Sequence, residues 1–411
     1  MDQQQRSTLA LLNVSTVPDL DLIVPRGTLP ETLESEICST DTVKVLVAGQ
    51  RGMGKTTELR RLVELLRSGT THEPIFVAFG SQESITEIAL LLSMANAIYS
   101  HGDLGLSEKS MSAIRDWEAS VEVAEVVQEM REGSAGIGGS VPILSAKAGV
   151  SRSRANSTTK KRTVVPTKTA LISLFNELVA KAERHCEKKI AFIIDDIDKV
   201  QNQTSIEGTF IHAAQLIGSI ECPCVFTVPI TYATSTYLRI ATLPYNAIYR
   251  MPAVPLLNPV GVRTEEHFAF MRHVFSRRMA FNPLSGEQLD RVLLYSGGVL
   301  VDAMRMLRGI CRHAILSGER TVTDETIEQA FQALVDDYKY VFDTADLWKK
   351  LALFCNATGT EIYITDESVP DLLYKMILIE YRNPRMWFNL HPAARRLYEQ
   401  NKAAVDLRVG Q

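Results

Sequence analysis

The sequence predicts an α/β protein built on a parallel sheet, followed by a helical region and a small mixed module, and three observations carry that prediction. Two continuous apolar runs of strand length, VKVLVAG at 43–49 and IAFII at 190–194, end in a glycine-rich turn and in a pair of acids respectively. Amphipathic patterns alternate with these runs, as in Leu59, Leu62, Val63 and Leu66 at spacings of three and four. Beyond Pro259 the strand-like runs stop and successive helical patterns take over. Continuous rather than alternating apolar runs fit strands covered on both faces, which is the situation in a parallel sheet.

Taken in chain order, residues 1–40 are polar, contain Pro18, Pro25 and Pro30, and read as an N-terminal arm or linker. A core at 41–258 opens with the strand at 43–49, a glycine turn and the helix KTTELRRLVELLR. A second buried strand, PIFVAFG at 74–80, and a helix from about 85 to 99 follow. The pattern at 105–131 is helical. After it the core resumes with a helix from 168 to about 186 and the strand ending in Asp195 and Asp196. A helix around 210–219 then leads to two more strands, CVFTVPI at 224–230 and one within 247–256. A helical lid at 259–340 contains four amphipathic patterns divided by glycines or by Thr-Asp capping signals. The last module, 341–411, begins with a helix around 345–355 and ends in two strand-like runs joined by Asn383-Pro384, then a closing helix.

Composition narrows the function classes. Hydrophobic residues at 45% and charged residues at 22% exclude wholesale disorder in the chain of 411 residues. Lys and Arg total 44 against 48 Asp and Glu, so the net charge of −4 excludes a uniformly basic coat. The average hides a local block. From 133 to 176 there is no acid, while Lys147, Arg152, Arg154, Lys160, Lys161, Arg162 and Lys168 contribute +7, leaving −11 for the remainder. The Gly- and Ser-rich stretch at about 133–167 reads as a flexible basic insertion. It is either simply solvated or an arm that orders on a polyanion or a partner subunit. The longest mostly apolar stretch, 88–98, is too short for a bilayer, and the N-terminus lacks a signal-peptide layout. A cytoplasmic protein with no membrane partner is expected. The six cysteines are scattered, and Cys222-Pro-Cys224 reads as reduced thiols beside a buried strand.

The chemistry sits in Gly49, Gln50, Arg51, Gly52, Met53, Gly54, Lys55 and Thr56, which match G-x-x-x-x-G-K-[ST] between a strand and a helix. The glycines let consecutive backbone N–H groups face phosphates, and the helix N-terminus adds its positive end. Lys55 is placed to bridge the β- and γ-phosphates of ATP, Thr56 to ligate Mg²⁺, and Thr57 to reach the α-phosphate. The acid such a loop needs for its metal is Asp195 at the end of the 190–194 strand. Asp196 beside it can polarise the attacking water as a general base. Asp198, past the strand end, reads as a cap or a salt-bridge partner.

Together these residues resemble the additional-strand ATPases, the AAA+ and STAND branch of P-loop proteins, over about residues 40–335. GQRGMGKTT and IIDDIDKV carry the best local agreement. The resemblance implies ATP/ADP and Mg²⁺ as cofactors. It also implies a polar sensor on a strand lying between the two motifs, matched by Thr227, and an arginine finger from a neighbouring subunit. Arg239 matches the usual location of that finger better than Arg250. In the family a Ser-Gly-Gly turn is followed three residues later by a lid arginine. Here the turn is Ser296-Gly297-Gly298, but Val301 stands at that position and Arg305 lies one turn on. Aspartate at 196, where many motors have glutamate, implies slow hydrolysis.

The last module resembles a winged helix, as in origin-recognition and STAND relatives. Its helix before the hairpin shows Asp366, Glu367 and Asp371 against Lys375, which favours docking on the core or a protein over DNA. Arg382 and Arg385 on the hairpin keep DNA in play. His391 reads as a packed residue at a helix start. The expected function is a slow, nucleotide-dependent oligomeric switch that regulates a separate effector, with bacterial anti-phage defence as one setting. The alternative is an ATP-dependent DNA-binding or loading protein of the origin-recognition or transposon-targeting kind. A homo-oligomer is implied in both, with nucleic acid reached through the basic insertion or the wing.

Overall fold

The computed structural model describes residues 1–14, 19–80, 84–101, 104, 168–200, 203–234, 244–342, 345–356 and 369–409. They divide into two compact units, one formed by 1–87 and 188–411 and the other by 88–187. In the first unit the residues expected as an arm or linker carry α1 (Gln3–Leu11) and α2 (Leu29–Ser39). Asp2 and Gln5 form a capping box at the start of α1, so even this polar segment has a defined helix entry. Leu12, Leu33 and Ile37 are fully buried, and this apolar spacing is what fastens the segment down. Next come β1 (Lys44–Gly49), α3 (Lys55–Ser68) and β2 (His72–Ala78).

The described part of the second unit holds α4 (Glu87–Ser100) and α5 (Lys168–Cys186). Leu90, Leu91, Met94, Ala95 and Ile98 form the buried stripe of α4, and Leu171, Phe175, Leu178, Val179 and Ala182 that of α5. The helix expected at 105–131 and the basic insertion lie outside the described residues.

The first unit continues with β3 (Lys189–Asp195) and a broken helical stretch of α6 (Gln203–Glu207), a π turn at Gly208–His212 and α7 (Ala214–Gly218). Then follow β4 (Cys224–Val228), α8 (Ile230–Thr234) and β5 (Ala247–Met251). The five strands form one parallel sheet in the order β2-β3-β4-β1-β5. Every residue of β1 is buried, which is why its sequence is apolar without alternation. On one face Val45, Val47, Ala191, Ile193 and Val225 of the sheet pack with Leu59, Leu62, Val63 and Leu66 of α3 and Leu33 and Ile37 of α2.

The polar exception in β1 is Lys44, which is 1% exposed. Its Nζ donates to the carbonyls of Thr42, Ile220 and Cys222 at 2.8, 2.9 and 2.8 Å, so all three ammonium donors are used. The amine therefore ties the start of β1 to the loop entering β4. Cys222 and Cys224 are free thiols buried beside it.

The lid comprises α9 (Glu265–Ser276), α10 (Gly286–Tyr295), α11 (Leu300–Ser317) and α12 (Asp324–Lys339). Ser285 and Gln288 form the capping box of α10, and Thr323 caps α12. Gly298 sits at φ 75° with its backbone against the Val254 carbonyl, a place where any Cβ would collide. The C-terminal part consists of α13 (Ala345–Asn356), α14 (Val369–Tyr374), the antiparallel pair β6 (Leu378–Arg382) and β7 (Met386–Leu390), and α15 (Pro392–Val409).

The β6–β7 hairpin is stitched into the first unit. Ala253 N–H donates to the Glu380 carbonyl at 2.9 Å, and Tyr381 Oη donates to the Gly297 carbonyl at 2.6 Å. Arg250 on β5, the second choice for an arginine finger, is committed instead to the buried Glu380 carboxylate at 2.5 Å and to the Ala233 carbonyl. His391 is fully buried at the start of α15, accepts from Ala393 N–H through Nδ1, and lies 3.2 Å from Asp302 of α11 through Nε2.

Replacing Lys44 by Met should leave the buried Ile220 and Cys222 carbonyls and the partly buried Thr42 carbonyl without their shared donor. We expect a loss of about 2–4 kcal/mol in urea unfolding, since each unmet buried polar group costs roughly 1–3 kcal/mol. An unchanged midpoint would show that the amine is not a structural tie.

Candidate functional site

The loop from Gly49 to Lys55 turns between β1 and α3 because two of its glycines take left-handed backbone angles, φ 79° at Gly52 and φ 93° at Gly54. A Cβ on Gly52 would run into Val301. The residue that replaces the expected lid arginine is thus packed directly on the phosphate loop, where a valine closes the contact.

A cavity of about 690 Å³ opens beside this loop. Its lining includes Arg51 to Thr57 from the loop and α3, the acids Asp195, Asp196 and Asp198, and Leu300, Val301 and Met304 from α11. β4 lies between β1 and β3, with Thr227 paired in register with Val47. The Thr227 side chain is fully buried and its Oγ1 has no hydrogen-bond partner among the described residues.

The Thr56 hydroxyl and the Asp195 carboxylate both face the cavity, close enough for the hydroxyl to favour the charged carboxylate. Asp195 is 1% exposed, and its Oδ1 has no partner among the described residues. Burial pushes the Asp195 carboxyl up, the Thr56 hydroxyl opposes that, and the charges of Asp196 and Asp198 push it up further. Ligand oxygens of the three aspartates lie within 4.8 Å of one another. Three hard oxygen donors with an orphaned buried carboxylate oxygen suit a divalent cation such as Mg²⁺.

The two lysines at the site are both paired. Lys55 Nζ lies 2.9 Å from Asp198, and it donates to the Gly49 and Gln50 carbonyls at 2.8 Å each. Asp198 is therefore the salt-bridge partner of the loop lysine itself. Lys199 Nζ lies 2.5 Å from Asp196. Burial works to lower the Lys199 pKa, but the Asp196 hydrogen bond and the field of the three aspartates outweigh it and leave it raised. Asp196 holds φ 71°, a left-handed angle that aspartate tolerates better than most residues.

The remaining expected site residues are placed as follows. Gly49 and Gln50 are absent from the cavity lining. The Gln50 side chain turns the other way: its Nε2 donates to the carbonyls of Leu373 and Leu378 at 2.8 and 2.7 Å, and its Oε1 accepts from Glu380 N–H at 2.9 Å. Met53 is buried in a cluster with Met251, Val299, Ile379, Tyr381 and Trp387, and Arg51 lies over the Tyr374 ring. Arg305 is not in the lining, is half-exposed and pairs with Asp302 at 3.2 Å. Arg239 lies outside the described residues.

Sequence reasoning missed Arg26 and Arg278, which also line the cavity. Arg26 donates to the Met53 carbonyl at 3.2 Å and the Pro252 carbonyl at 2.5 Å. Burial lowers its pKa to about 10 despite the nearby Glu58. No motif marks either residue, because each reaches the cavity from an element remote in sequence from the loop.

No family model and no curated protein matches the chain. Among solved structures it is similar to the Aeropyrum pernix ORC2 protein in ADPNP–ADP complexes, at 11% identity and TM-score 0.49, covering 98% of each chain. It is also similar to the Aeropyrum pernix ORC1 protein in complex with DNA, at 15% identity and TM-score 0.46, covering 96% of this chain and 97% of that one. A third is a STAND protein with a tetratricopeptide repeat sensor from Pyrococcus horikoshii, at 13% identity and TM-score 0.35, covering 95% of this chain and 45% of that one.

The raised Asp195 pKa predicts a pH-dependent penalty. A carboxyl whose folded pKa lies above its unfolded value makes the folded state take up protons, so stability falls as pH rises through the folded pKa. Asp195→Asn should therefore raise the melting temperature of the nucleotide-free protein at pH 8, and the gain should shrink as pH falls towards 4. A gain that grows on acidification would contradict the burial of a charged Asp195.

Proposed function

We propose that the chain binds ATP and ADP with Mg²⁺, hydrolyses ATP slowly, and uses its nucleotide state to change contacts with further copies of itself or with a separate effector. The observation that carries this reading is a cavity lined by Lys55 and Thr56 at the start of α3 together with Asp195, Asp196 and Asp198 at and just past the end of β3, with one Asp195 oxygen buried and unpartnered. Thr56 and Asp195 are the two metal-side groups the motifs require.

Backbone N–H groups of the loop and the first turn of α3 face phosphate oxygens, and Lys55 supplies the charge. To do so Lys55 must exchange Asp198 and two carbonyls for phosphate, so binding starts against an existing ion pair. Mg²⁺ held by Thr56 and Asp195 would neutralise charge on the terminal phosphates. Asp196 accepts the proton of the attacking water, and Thr227, buried on the neighbouring strand, orients it. Asp196 is engaged with Lys199 before that can happen, which supports a slow basal rate. Gln50 and Met53 connect this site to the hairpin, so the β6–β7 hairpin is the element through which nucleotide state is passed on.

Two variants test this reading. Lys55→Ala should weaken ATP binding about tenfold to a hundredfold, the range expected for a lost charge-assisted contact. Asp196→Asn should still bind ATP yet lower turnover by about 10²–10⁴, the typical worth of a general base. Equal binding by Lys55→Ala, or full turnover by Asp196→Asn, would overturn the assignments. Sizing the protein with ADP and with a slowly hydrolysed ATP analogue should show a change in mass, and an identical mass in both would remove the oligomeric switch.

A further inference from the structure

Arg51 belongs to the phosphate loop, is exposed and lines the cavity, yet its side chain rests on the C-terminal part. Its guanidinium carbon lies 5.5 Å from the centre of the Tyr374 ring, and its Nη2 donates to the Tyr374 hydroxyl at 3.4 Å. Both contacts are weak. The hydrogen bond is longer than a normal one, and an exposed cation–π contact shifts an equilibrium only about two- to fivefold. The ring itself is held firmly. Leu372 and Leu373 before it are fully buried, and the Leu373 carbonyl accepts from Gln50 Nε2 at 2.8 Å. Adjacent loop residues thus meet adjacent residues of α14, with Gln50 fixing the backbone and Tyr374 receiving Arg51. A loosely held cation rests on a firmly held ring.

The order of residues along the loop decides which phosphate Arg51 meets. At the start of α3, Thr57 is placed for the α-phosphate and Lys55 for the β- and γ-phosphates. Following the loop back from Lys55 towards β1 leads on to the terminal phosphate, and Arg51 stands on that side. It lines the same cavity as Asp195 and Asp196, where the metal and the attacking water belong in the proposed reaction. Other arginines near the site are committed elsewhere. Arg26 and Arg278 are held by backbone carbonyls, Arg60 lies over the Phe76 ring, and Arg250 is tied to Glu380. From the lid, the side chain packed on the loop is Val301, which carries no charge.

We propose that Arg51 is a catalytic residue supplied by the phosphate loop of the same subunit, and that Tyr374 holds it aside until ATP is bound. This rests on the ATP-hydrolysing reading above and adds to it the cation that meets the terminal phosphate. Hydrolysis forms a bond from the water oxygen to the γ-phosphorus and breaks the bond from that phosphorus to the β–γ bridging oxygen, which leaves with ADP. One water proton passes to Asp196 and on to solvent, and the other stays on the inorganic phosphate. Negative charge shifts onto the bridging oxygen and stays spread over the γ-oxygens as the bond breaks. A guanidinium fork spans two such oxygens at once, which an ammonium cannot do. ADP lacks the γ-phosphate, so with ADP bound Arg51 stays on Tyr374.

The test measures single-turnover hydrolysis of Mg²⁺-ATP and the affinity for Mg²⁺-ADP in the full chain. It compares wild type with Arg51→Met, Arg51→Lys, Tyr374→Leu and the double variant Arg51→Met/Tyr374→Leu. Arg51→Met should slow hydrolysis by about 10²–10³, the worth of one donor aimed at developing charge. Its ADP affinity should stay within about threefold. Arg51→Lys keeps the charge without the fork and should fall between Arg51→Met and wild type, and it is read in place of Arg51→Met if that variant does not fold. Tyr374→Leu frees the arginine and should speed hydrolysis about two- to fivefold. The same change in the Arg51→Met background should do nothing, because it acts only through Arg51. Wild-type turnover in a folded Arg51 variant would overturn the proposal. So would an equal loss for ATP hydrolysis and ADP affinity, which would make Arg51 an ordinary phosphate contact of the loop. A Tyr374→Leu effect that is absent, or that persists without Arg51, would overturn the role of the tyrosine. Wild type that binds no ATP, or binds it without turnover, would instead defeat the reading on which the proposal stands.

Discussion

The three hydrogen bonds of the Gln50 side chain set the terms for the rest of the molecule. They place a residue of the phosphate loop inside the C-terminal part, on the backbone of Leu373, Leu378 and Glu380, in a site that is 3% exposed. A buried amide that meets its partners this fully is stable only while both sides keep their geometry, since leaving it unmatched costs far more than forming it gains. The loop cannot change shape without disturbing β6, and β6 cannot leave without stranding Gln50. Met53, Arg250 and Tyr381 reinforce the same junction from the loop, from β5 and from the hairpin. The last module is therefore joined to the phosphate loop through buried hydrogen bonds and is not a tethered attachment.

Charge pairing within the site has a similar logic. Lys55 is matched by Asp198 and Lys199 by Asp196, while Asp195 keeps one oxygen unmet. The pairs lower the cost of gathering five charged groups at one end of the cavity. Under the proposed function each pair would rearrange when phosphate and a cation enter, and such an arrangement would favour two discrete states over a graded response.

Much of this was legible from residues alone, for a local reason. The strand-loop-helix at 43–67 and the strand ending in Asp195 and Asp196 are continuous segments, and their patterns carry both the secondary structure and the chemistry. Thr227 was marked by the resemblance, which implies a polar sensor on a strand between the two motifs, and β4 does lie between β1 and β3. What escaped are contacts between elements far apart in the chain. Gln50 looked like one more loop residue, yet its partners are more than 320 positions away. Arg26 and Arg278 sit in no motif, and the polar composition of 1–40 concealed three buried anchors at Leu12, Leu33 and Ile37. Val301 marked a departure at the expected arginine position, but only its packing on Gly52 explains why an apolar residue stands there.

The most direct measurement of the coupling is amide hydrogen exchange over the hairpin at 378–390, with and without saturating nucleotide, in wild type and in Gln50→Ala. Binding at the loop should change exchange at the Glu380 amide in wild type, because that N–H is held by Gln50 Oε1. The variant should exchange faster throughout and lose the response to nucleotide. Hairpin exchange that is indifferent to nucleotide in wild type, or equally responsive in Gln50→Ala, would contradict a phosphate loop wired to the C-terminal module.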